Sequence, residues 1–123
     1  MNYRKIKELG LFTPPEYLTA TPNERRKVVN GCGTSGWKGM LVPETLWGLS
    51  ISESCNIHDW MYHCGENIED KEKADRVFLN NMVRTITHQK SWRWLRKLRL
   101  HRAKVYHMVV VDFGGAAFWE GKN

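Results

Sequence analysis

His58 and Asp59 stand side by side in Cys55-Asn56-Ile57-His58-Asp59-Trp60-Met61-Tyr62, an otherwise apolar stretch with helical periodicity. On a helix, Ile51, Cys55, His58 and Tyr62 share one stripe at i, i+4, i+7 and i+11, so the imidazole faces inward and Asp59 sits at the edge of that face. Burying such groups is costly unless they are partnered. From Lys71 onward, Asp75, Phe78, Leu79, Met82 and Ile86 recur at helical spacing, which puts one carboxylate on a second apolar face. The connection from His63 to Asp70 is short. Short connections favour antiparallel neighbours, so the spacing predicts that His58 and Asp75 meet across a helix interface. An imidazole bonded to a buried carboxylate is held in one tautomer and becomes a better base.

Upstream, Asn30-Gly31-Cys32-Gly33-Thr34-Ser35-Gly36-Trp37-Lys38-Gly39 has four glycines in ten residues, enough backbone freedom for several carbonyls to turn toward one point. Carbonyls with a carboxylate are the ligands of a hard cation such as calcium, and Asp59 is the nearest candidate carboxylate.

These three stretches resemble the secreted, calcium-dependent phospholipase A2 family. Its Cys-Cys-x-x-His-Asp-x-Cys-Tyr helix is matched by Ser54-Cys55-Asn56-Ile57-His58-Asp59-Trp60-Met61-Tyr62. Its calcium loop is matched by Gly31-Cys32-Gly33, and its orienting aspartate by Ala74-Asp75-Arg76. The resemblance covers roughly 30–82, under half of the chain. It implies a mainly α, phospholipase A2-like fold in which two antiparallel core helices carry the His/Asp site behind a glycine-rich calcium loop. The implied activity is calcium-dependent hydrolysis of a phospholipid acyl ester. His58 is then the general base on water, Asp75 its orienting partner and Tyr62 the supporting tyrosine on that carboxylate. Calcium falls to Asp59 and the carbonyls of Gly31, Gly33 and Ser35. The family's loop-to-helix disulfide falls on Cys32 and Cys55; two further bridges would fall on Met61 with Ala74 and on Ser54 with Asn81, where both halves are absent. Ser35 stands where the family has its third loop glycine. Cys64 has no assigned partner and reads either as a small buried hydrophobe or as a reactive thiol.

The 123 residues fit one domain, and 41% hydrophobic with 26% charged residues is an ordinary globular balance. MNYRKIKELGLF has no apolar run of signal-peptide length and no stretch approaches a membrane span, so the expectation is a protein that stays in its cell or leaves by a leaderless route. Residues 1–20 read as a short basic segment and a proline turn. Thr21-Pro22-Asn23-Glu24 reads as a capping box that starts a short helix running to about Val29. The long helices are expected over Ser52–His63 and Lys71–His88, with the stretch from Gly36 to Ser50 as a lid or apolar mouth.

The last third is basic, with Trp94, Leu98 and Val105 as its apolar side. A net charge of +6 calls for an anionic partner, and an anionic phospholipid membrane contacted by Arg93, Arg96, Lys97 and Arg99 is the expectation. A helix docked on the core with a solvated basic face is the plain alternative. Three rival functions stand beside hydrolysis: a catalytically weak phospholipase-like binding module, a basic nucleic-acid binder, and a zinc site of Cys55, His58, His63 and Cys64. The zinc reading lacks the usual Cys-x-x-Cys spacing. His63, His88, His101 and His107 are assigned to surface or packing.

Overall fold

The residues that end each helix also set how the elements follow one another. The computed structural model describes residues 2–28, 42–120 and 122, and among them the chain is mainly α with one small hairpin. Helices α1 (Tyr3–Leu9), α2 (Pro15–Thr19) and α3 (Pro22–Val28) come first. An antiparallel hairpin follows, β1 (Thr45–Leu46) with β2 (Leu49–Ser50). Then come α4 (Ser52–Cys64), α5 (Ile68–His88), α6 (Arg93–Phe113) and a short α7 (Gly115–Phe118).

The expected capping box is present: the Thr21 hydroxyl accepts from Glu24 N–H and the Glu24 carboxylate accepts from Thr21 N–H, both at 3.1 Å. The first twenty residues are not merely a turn but two short helices. Asn2 caps the first, and Gly10 ends it at φ +66, where a side chain would be strained. Helix α4 stops at Gly65. Asn67 then caps α5 by accepting from Asp70 N–H, with Glu69 and Asp70 placed against the positive end of the helix dipole. The connection is therefore even shorter than the sequence suggested, and the two long helices pack antiparallel.

Three clusters bury the apolar faces. The main one joins Leu46 of the hairpin, Ile51 and Cys55, then Phe78, Met82 and Ile86 of α5, and Ala103, Tyr106 and Val110 of α6. A second packs Ile6, Leu11 and Tyr17 on Ile57, Trp60 and Val77. The third, Tyr62, Ala74 and Phe118 with half-buried Met61, lies under the end of α4. Met61 and Ala74, one of the two absent bridge pairs, thus share an apolar cluster. Asn81, from the other pair, is fully buried and clamps the amino-terminal segment: its amide accepts from Phe12 N–H at 2.8 Å and donates to Phe12 O at 3.0 Å.

Helix α6 differs most from expectation. Its buried residues are Arg99, Ala103, Tyr106 and Val110, whereas Trp94 and Leu98 are exposed and Val105 is half-buried. The apolar side read from the sequence points outward. Arg99 occupies an inward position because its guanidinium donates to Leu46 O at 3.2 Å and Trp47 O at 3.0 Å, while the Tyr106 hydroxyl donates to Thr45 O at 2.8 Å. These bonds tie the backbone of the hairpin to α6.

Candidate active site

His58 on α4 and Asp75 on α5 face each other across the helix interface, with His58 Nε2 2.8 Å from Asp75 Oδ1. Both are buried, at 5% and 2% exposure. The Tyr62 hydroxyl donates to the same oxygen at 2.7 Å. The imidazole is held between two rings: it stacks on Phe78 at 4.6 Å between centroids and lies against Tyr62 at 4.2 Å. With Nε2–H committed to Asp75, Nδ1 is the nitrogen left to take a proton.

The other oxygen, Asp75 Oδ2, accepts from the Lys71 ammonium at 2.8 Å. Lys71 is itself buried, and it also donates to Val110 O at 3.1 Å and Val111 O at 3.4 Å in the last turn of α6. Sequence reasoning missed this residue, although the signal was there: Lys71 precedes Asp75 by four residues on the same stripe. A lysine at a helix carboxyl end also complements that helix's dipole. Burial alone would raise the Asp75 pKa, but the bonds from His58, Lys71 and Tyr62 outweigh it and hold the carboxyl below its ordinary range. Tyr62 is pushed far above the usual tyrosine range, first by burial and then by its bond to Asp75, so its hydroxyl stays protonated and donates.

Gly114 makes this packing possible, because a Cβ there would stand 2.5 Å from the Tyr62 hydroxyl and collide with Val110 O. Phe118 closes the far side, edge-on to Tyr62 at 5.3 Å. His107, assigned to packing, is half-buried and within electrostatic reach of the pair. Burial lowers its pKa while Asp75 pulls it the other way.

Asp59 is buried at 6% rather than lying at the rim of its face, and its charge reaches both Tyr17 and Tyr62. A carboxylate is the side-chain ligand that a hard cation takes, and Asp59 follows His58 directly in the chain. Gly31, Gly33 and Ser35, the candidate carbonyl ligands, lie outside the described residues, as does Cys32. Cys55 is disulfide-bonded, and Cys64 is an exposed free thiol. Cys55 is fully buried while His63 and Cys64 are exposed, so the four residues of the zinc reading diverge. Among the described residues no group of three or more His, Cys, Asp or Glu is placed to hold a metal, and no helix is long and apolar enough to cross a membrane.

Arg93, Arg96 and Lys97 are exposed on α6. Arg99 does not join them on the exposed side, because it is buried with its guanidinium turned to the carbonyls of Leu46 and Trp47. A cavity of about 430 Å³ opens beside α4 among Phe12, Trp60, Met61, Cys64 and Lys73, away from His58 and Asp75. Comparison with protein-family models, with curated proteins and with solved structures finds no match to this chain.

Proposed function

We propose that this chain is a calcium-dependent hydrolase of phospholipid acyl esters with a phospholipase A2-like fold, working at an anionic membrane surface. The observation that carries the reading is the buried His58–Asp75 pair at 2.8 Å with Tyr62 on the same carboxylate oxygen. His58 Nδ1 takes a proton from water as the water oxygen attacks the ester carbonyl, and the imidazolium later returns that proton to the leaving alkoxide. Asp75 holds the ring in the tautomer this requires and stabilises the imidazolium. No nucleophilic serine is needed.

Asp59, with the carbonyls of Gly31, Gly33 and Ser35, would hold the calcium ion. When bound, the ion supplies positive charge at the ester oxygen, where negative charge develops. Arg93, Arg96 and Lys97 supply attraction to anionic headgroups.

One observation favours a second reading, a catalytically weak module that binds membranes or proteins: the Lys71 ammonium already compensates part of the Asp75 charge. The two separate in one assay, fatty-acid release from mixed phospholipid vesicles by the purified chain. Release in calcium that stops on chelation is expected. No release in either condition contradicts hydrolysis and leaves the binding module.

A further inference from the structure

The amino end of α6 has no side-chain cap. Trp92 stands at the cap position without accepting from a backbone N–H, and the first turn carries no acidic residue. Asn2 and Asn67 fill the same position in α1 and α5. Arg96 N–H bonds Trp92 O, so the N–H groups of Arg93, Trp94 and Leu95 are the ones without a helical acceptor. A hollow of about 390 Å³ opens at this end, lined by Gln89, Lys90, Ser91, Trp92, Leu95 and Arg99. Its charged lining is entirely cationic, and the sequence has no Asp or Glu between Asp75 and Asp112. Two buried groups in this wall have bonding capacity that the fold does not use. Ser91 Oγ is buried and has no hydrogen-bond partner among the described residues. Arg99 is 9% exposed, and its Nε and Nη2 donate to Leu46 O and Trp47 O, which leaves Nη1 without an acceptor among the described residues. Leaving buried donors unmatched is costly, and one oxyanion would engage both groups together with the Lys90 ammonium and the positive end of the helix.

We infer that this hollow binds the phosphate group of a soluble phosphate monoester. Such a group carries close to two negative charges and three acceptor oxygens, enough for the guanidinium, the hydroxyl and the ammonium together. A carboxylate, or the phosphodiester of a membrane phospholipid, has one charge and two free oxygens and matches the donors less well. Trp92, 73% exposed, and half-buried Leu95 give the hollow an apolar wall for the organic body of the ester. The site is separate from the proposed hydrolytic one. Lys71 ties Asp75 to Val110 and Val111 at the other end of α6, about 25 Å along the helix from Arg93 at 1.5 Å per residue. The inference therefore stands whether or not the chain hydrolyses esters.

The test is calorimetry of the whole chain with inorganic phosphate, phenyl phosphate and acetate, in calcium-free buffer at fixed ionic strength. Phosphate should bind and acetate should not. Phenyl phosphate should bind more tightly than inorganic phosphate, because its ring lies against Trp92 and Leu95. Ser91→Ala removes a hydroxyl that the fold leaves unpartnered, so its melting temperature should hold while phosphate binding weakens about 10-fold, the scale of one hydrogen bond to a charged group. Trp92→Asp places the chain's own carboxylate at the open cap and should abolish phosphate binding. Circular dichroism checks that both variants fold. Unchanged phosphate affinity in either folded variant, acetate bound as tightly as phosphate, or no gain from the phenyl ring overturns the inference. So does binding to phosphatidic acid vesicles by a chain that ignores both soluble phosphates, which would make the source a lipid.

Discussion

Lys71→Met keeps the length of the side chain and removes its charge, which isolates what the buried ammonium contributes. Lys71 Nζ makes three contacts, 2.8 Å to Asp75 Oδ2, 3.1 Å to Val110 O and 3.4 Å to Val111 O. Its side chain is 7% exposed and that of Asp75 2%. Removing one partner of a buried ion pair costs about 3–5 kcal/mol, because the stranded charge remains desolvated. Asp75 keeps His58 and Tyr62 as donors, which favours the lower end, about 3 kcal/mol. At roughly 4 °C per kcal/mol for a domain of this size, the melting temperature should fall by about 12 °C, read by circular dichroism at neutral pH. Lys71→Met with Asp75→Asn leaves no stranded charge, so the double variant should lose less than the sum of the single losses, by about 2 kcal/mol. A single variant that melts with the wild type, or strictly additive losses, would refute the pairing.

The depressed Asp75 pKa predicts a pH dependence. Its stabilising contribution is present above the unfolded carboxyl value near 4 and is lost as pH falls through the lower folded value. The stability gap between wild type and Asp75→Asn should therefore be wide at pH 7 and close below about pH 4, in urea titrations across that range; a constant gap contradicts it. Gly114→Ala should push the Tyr62 hydroxyl off Asp75 and cost about 2 kcal/mol, seen as a lowered melting temperature together with slower ester hydrolysis; a silent substitution would contradict the close approach. Asp59→Asn should lose calcium affinity and activity together, and an unchanged calorimetric isotherm would remove Asp59 from the ion.

The pair at the centre was legible because both residues sit on helical stripes whose apolar members are buried as the spacing requires: Ile51, Cys55 and Tyr62 around His58, and Phe78, Met82 and Ile86 below Asp75. The three-residue connection left little choice of arrangement. The capping box at Thr21 was equally local, and it formed. Longer-range features were not legible. Arg99 breaks the rule that a charged residue marks the wet face, because its partners are carbonyls of a hairpin more than fifty residues away. With Arg99 inside, the outward stripe of Trp94 and Leu98 looked like the core face. The hairpin strands, two residues each, are too short to show an alternating pattern, and a tryptophan in a left-handed turn position runs against its propensity. Lys71 was readable as an i, i+4 partner of Asp75, but a lysine on an apolar stripe is ordinarily taken to snorkel outward.

The proposed chemistry rests on His58 as the base, and the most direct measurement of it is turnover of a soluble short-chain phospholipid, which needs no docking. The rate of fatty-acid release in calcium by the wild type should be compared with that of His58→Gln, both checked for folding by circular dichroism. A folded His58→Gln chain with release at the uncatalysed rate, beside a wild type that turns over, is the predicted result. A folded variant that hydrolyses as fast as the wild type would contradict the account.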